Sequence, residues 1–121
     1  MNVNPIPQLQ SQGGPILLMA YLHREMSHLP RAAFSMLSHT PDKLDIHLHT
    51  ALQDELPALA AFEAWRVALG LGTPTPHHTK NMSWVDVEGI VDDVTVILHG
   101  FGSAAEVDAL VAELASTAVA A

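Results

Sequence analysis

The 121 residues are 49% apolar and 15% charged, and 13 carboxylates against five Lys and Arg give a formal charge of −8. That length suits one domain with a modest core. Five scattered cations argue against a duplex-binding surface, which must displace phosphate counterions, and the lack of cysteine excludes a disulfide framework, a thiol nucleophile and a Cys-ligated zinc site while fitting a cytoplasmic protein.

Residues 1–13 are rich in Asn, Pro, Gln, Ser and Gly and read as a flexible N-terminal arm. Ile16 to Leu22 is apolar but too short to span a bilayer, and it follows Gly13-Gly14-Pro15 without a basic region. Pro15 suits the start of a helix running to about His28, with Leu18, Leu22 and Met26 on one stripe and Pro30 as its stop. From Arg31 to Thr50 a hairpin is expected, turning at Thr40-Pro41-Asp42-Lys43. Leu44, Ile46 and Leu48 then alternate with Asp45, His47 and His49, the period of a half-buried strand.

A second helix begins near Asp54, with Pro57 in its first turn, Leu59, Phe62, Trp65 and Leu69 as its apolar stripe and Gly70 as its stop. Gly70 to Lys80 carries two Gly and two Pro and reads as a loop. The second hairpin covers about Met82 to His99. A turn at Asp92-Asp93 sets Val91 against Val94, Gly89 against Val96 and Val87 against Leu98, all on one apolar side. Gly100 and Gly102 break the strand. Ser103 and Glu106 form a capping box, and Val107, Leu110, Val111 and Leu114 give a third helix its core face.

The expected fold is therefore α+β in the order α-ββ-α-ββ-α, a single domain over residues 14–118 with a frayed tail at 119–121. Its sheet is a four-stranded antiparallel sheet from two hairpins, with the helices mainly on one face. The hairpins echo each other fifty residues apart. Asp42 to His49 aligns with Asp92 to His99, and the same register sets Phe34 against Trp84.

Phe62-Glu63-Ala64-Trp65, Ala68-Leu69-Gly70, Trp84-Val85-Asp86-Val87-Glu88-Gly89 and Asp92-Asp93-Val94-Thr95-Val96 resemble a helix-plus-hairpin pattern in small uncharacterised proteins of actinobacteria and their phages. The resemblance covers about a third of the chain. It implies a helix stop, an alternating strand and a turn, and no catalytic residue.

With these turns, the sheet face away from the helices carries Phe34, Met36, His47, His49, Trp84, Ile90, Ile97 and His99, rimmed by Asp45, Asp86 and Glu88. Such apolar groups are seldom left open over a whole sheet, so Phe34, Met36, Trp84, Ile90 and Ile97 form a candidate interaction surface. Its cover is either the first helix, a ligand or another chain. Asp45, His47, His49 and His99 are candidate metal ligands, with zinc as the metal, because alternate strand positions project to one side. The plainer alternative is a solvated histidine-bearing face with no cofactor. No G-x-S-x-G elbow or phosphate loop is present, so no catalytic residue is assigned.

The leading expectation is a small acidic, non-catalytic protein-interaction module. It would act as a homodimer that touches neither nucleic acid nor membrane directly. Element order and acidity are similar to those of small acidic type III secretion chaperones and of small immunity or inhibitor proteins. The alternative is a small-molecule or metal-dependent enzyme using the histidine face.

Overall fold

Strict alternation decides this sheet. Leu44, Ile46, Leu48, Val85, Val87, Val94, Val96 and Leu98 all point to one side and all are buried. A computed structural model describes residues 13–37, 40–49 and 57–120. Residues 1–12 of the expected 1–13 arm, Asp54 and residue 121 fall outside them; Gly13 already belongs to the first helix, and Pro57 stands just before the second rather than in its first turn. The described elements are α1 (Gly13–Glu25), β1 (Ala33–Leu37), β2 (Thr40–Leu48), α2 (Ala58–Ala68), β3 (Thr75–His78), β4 (Ser83–Val91), β5 (Val94–Gly102) and α3 (Ala104–Ala120).

The class is α+β, but the sheet differs from the expected four antiparallel strands. It has five strands in the order β1-β2-β5-β4-β3, and its central pair, β2 and β5, is parallel. Both are the second strands of their hairpins. They also carry the densest inner faces, three buried aliphatic residues each, so burial is greatest when they take the centre. The fifth strand lies in the segment read as a Pro-Gly loop. It pairs His77 with Trp84 and Pro76 with Val85 at the sheet edge, where a proline without an N–H is tolerated.

The sequence echo corresponds to this central pair, displaced by two residues. The echo aligns Lys43 with Asp93, whereas the ladder sets Lys43 opposite Thr95 and His47 opposite His99. An even displacement leaves every side chain on its expected face. The first hairpin differs. It turns between Leu37 and Thr40 rather than at Pro41-Asp42, and its ladder is irregular between Ser35 and Leu37. This odd shift puts Phe34 opposite Ile46. Phe34 and Met36 therefore lie on the helix side and not on the outer face.

All three helices pack on the inner face. Leu18 and Leu22 of α1, Phe62 and Trp65 of α2 and Val107 of α3 share one cluster with the inner strand residues. Leu110 and Leu114, expected in the core, are half-buried at its rim. α1 ends at Glu25, short of His28, and a turn closed by Leu29 N–H on Met26 C=O leads to Pro30. The Pro30 carbonyl accepts the Trp65 indole N–H at 2.8 Å, tying this turn to α2. Phe34 meets Trp65 edge to face, with centroids 6.0 Å apart, beside an apolar groove of about 500 Å³ between α1 and β1.

Local rules hold at the helix ends. α2 closes on Gly70, whose φ of +67° suits glycine. Leu71 N–H bonds Arg66 C=O and Gly70 N–H bonds Val67 C=O, the paired bonds of a Schellman motif. Ser103 and Glu106 form the expected reciprocal cap on α3: Ser103 N–H donates to Glu106 Oε1 at 2.9 Å, and Glu106 N–H to Ser103 Oγ at 3.1 Å. The expected register at Asp92-Asp93 is also present, with Val91 opposite Val94 and Val87 opposite Leu98. No helix among the described residues is long and apolar enough to cross a membrane.

Candidate functional site

Because the helices occupy one side, the outer face is built by the alternate strand positions. Reading across the ladders, β2, β5 and β4 bring His47, His99 and Asp86 into one row and Asp45, Ile97 and Glu88 into the next. Beyond them, Phe101 stands opposite Trp84, and Trp84 opposite His77. Among the described residues no helix or strand crosses this face, yet its central side chains are half-buried by one another.

Rings dominate one end. His49 stacks on Phe101 at 4.4 Å with planes 8° apart, and His77 stacks on Trp84 at 5.1 Å and 17°. Trp84 and Phe101 lie 6.5 Å apart and tilted, which joins the two pairs into a strip across three strands and the residue after β2. His77 Nε2 also comes within 3.1 Å of Asp86 Oδ2. That contact is not aligned as a hydrogen bond, and Nε2 is otherwise unpartnered.

The centre holds the titratable cluster. His99 Nε2 and Asp45 Oδ1 are 2.9 Å apart in a hydrogen bond that spans the β2–β5 seam. His47 stacks on His99 at 4.6 Å with planes 8° apart. Burial pushes the His47 imidazole below its ordinary value of 6.5; His99 acts in the same direction and Asp45 against it. One ligand atom from each of Asp45, His47 and His99 falls within 4.8 Å of the other two. His49, the fourth expected ligand, is drawn away to Phe101 and stands outside this group.

Of the expected contact residues, Trp84, Ile90 and Ile97 share the outer face, whereas Phe34 and Met36 take the opposite side. Two contributors were not read from the sequence. Phe101 sits between two glycines, yet the alternation Ile97-His99-Phe101 continues to the end of β5 and was the available signal. His77 lies in a Thr-Pro-His-His strand too short to show a period. Its neighbour His78 faces the other way, bonding Ser83 Oγ at 2.8 Å and Asp108 Oδ1 at 2.9 Å.

Among the described residues this face is an open sheet surface. Chemically it offers what a surface offers: flat apolar area to bury, rings to stack on, and imidazole and carboxylate donors. No protein-family model matches the chain, and neither a curated protein nor a solved structure does.

Proposed function

We propose that this chain is a small non-catalytic binding module that pairs with a second copy of itself through the open face of its sheet. The observation that supports this is the one-sided packing of the helices, which leaves Trp84, Phe101, Ile97 and Ile90 on a face that no described element covers. Ile90 is 75% exposed. A flat apolar surface of this kind is costly to leave in water. The face also suits self-association by its layout. Rings lie at one end and isoleucines at the other, so a copy turned by a two-fold axis lays rings over isoleucines and histidines near carboxylates. The acidic balance and the absence of cysteine suit a partner-binding protein of a reducing, cytoplasmic compartment.

Light scattering and sedimentation at high micromolar concentration test the reading. The wild-type protein is expected to be dimeric, and Trp84→Glu or Ile97→Glu to give folded monomers. A monomeric wild type would remove the self-pairing. Loss of the fold in both variants would assign the face to the intramolecular core instead.

A further inference from the structure

We propose that Asp45, His47 and His99 form a binding site for a divalent transition metal ion of the zinc type. Two imidazoles and one carboxylate are the donor set that such ions favour, and imidazole in particular discriminates against magnesium and calcium. The fold supplies the set from its most rigid part. His47 and His99 are direct partners in the parallel ladder at the centre of the sheet, and Asp45 is two positions before His47 on the same face. The ligand atoms already lie within 4.8 Å of one another. A tetrahedral shell with bonds of about 2.0–2.1 Å needs ligand separations of roughly 3.3 Å, so the Asp45–His99 pair, now 2.9 Å apart, must open by a few tenths of an ångström while His47, within the 4.8 Å limit, closes on the two.

Torsion about χ2 supplies that closure. The stacked His47 and His99 rings hold their lone pairs in nearly parallel planes, and rotating one ring aims both nitrogens at a common point. For histidine this torsion is broad and soft. Asp45 then exchanges its hydrogen bond with His99 for a metal bond, and the proton held on His99 Nε2 leaves to solvent or is replaced by one on Nδ1, which frees the Nε2 lone pair for the ion. The three side chains are half-buried, which shields the charges in part, while the fourth position points away from the sheet and stays open to water or to a group from a partner. The ion would bridge β2 and β5 and so order this face.

The assignment rests on the cluster alone and does not require the dimer. The test uses full-length protein without a histidine tag, stripped by chelator and titrated with Co²⁺ and then Zn²⁺, with absorption and calorimetry as readouts. One ion per chain is expected, with the visible bands of four-coordinate Co²⁺ bleached by Zn²⁺. His47→Asn and His99→Asn should each weaken binding by at least ~100-fold, the upper end of what removing an outer-shell partner costs. Asp45→Asn should weaken it too, and the His77→Asn/His78→Asn double variant should not change it. Paramagnetic broadening in wild-type NMR spectra should fall first on the His47 and His99 ring signals, a readout that needs no variant to fold. No binding by the wild type would overturn the site. So would affinity unchanged in His47→Asn and His99→Asn, or broadening confined to His77 and His78.

Discussion

A single methyl group added at Gly100 should destabilise the protein. Gly100 is buried in β5, between Leu48 of β2 and Val85 of β4, with Phe62 of α2 directly above. A Cβ there would stand 2.8 Å from the Cβ, Cγ and Cδ2 atoms of Phe62. Phe62 is fully buried, so its ring cannot swing out to make room. Overpacking of this kind costs about 1–3 kcal/mol. Replacing a strand glycine by alanine returns roughly 0.5–1 kcal/mol of backbone entropy. The expected net loss for Gly100→Ala is therefore about 1–2 kcal/mol, read as a lower urea midpoint at constant slope. Phe62→Ala alone should cost about 3–5 kcal/mol; it removes the Cγ and Cδ2 contacts but keeps the Cβ that stands 2.8 Å from the added methyl. In that background Gly100→Ala should cost less than in the wild type, because the ring can no longer oppose it and the helix can settle around the one remaining contact, which makes the cycle non-additive. An unchanged midpoint for Gly100→Ala, or the same loss in both backgrounds, would refute the seating of α2 on β5.

The remaining expectations concern the core, one turn and one cap. Truncating Leu48 or Leu98 to alanine should cost about 2–5 kcal/mol in denaturant unfolding, because both are fully buried at the sheet centre. Asp92 and Asp93 sit at φ of +48° and +64° in a two-residue turn, so Asp92→Asn/Asp93→Gly should raise the midpoint, by on the order of 1 kcal/mol. The Glu106 carboxylate is held below its ordinary value of 4.5 by the Ser103 backbone N–H and then by the Ser103 side chain. A carboxylate depressed in the folded state adds stability above the unfolded pKa and loses it as pH falls through the folded one. The difference between wild type and Glu106→Gln should therefore shrink as thermal melts are repeated from pH 6 towards pH 3, and a difference constant over that range would contradict the cap.

The sequence is most legible where a local rule has one solution. The Asp92-Asp93 turn, the Ser103 cap and the inner faces of β2, β4 and β5 follow from short-range chemistry and alternation. The first hairpin shows where this ends. Thr40-Pro41-Asp42-Lys43 has the composition of a turn, but β2 begins at Thr40 and the chain reverses earlier, which sends Phe34 and Met36 to the helices. Turn composition tolerates such slips, while facial alternation in β1 is too short to correct them. The strand at Thr75–His78 is shaped by its neighbour β4 rather than by its own pattern. Within the candidate site, Asp45, His47 and His99 could be set on one face from alternation. That His47, and not His49, stands beside His99 is a matter of ladder register, which no local signal carries.

The parallel seam between β2 and β5 also has a kinetic consequence. Each hairpin closes over a few residues, and such contacts form in microseconds. The seam joins residues more than fifty positions apart, as the Asp45–His99 bond does, and its loop-closure entropy must be met before its contacts reward it. Folding is thus expected to pass through two preformed hairpins whose docking is the slow event. α1 and α2 settle only once that junction exists, since each packs on both β2 and β5. The cluster lies on the junction, Asp45 and His47 from one hairpin and His99 from the other, so its ring signals report when the two halves of the chain have met.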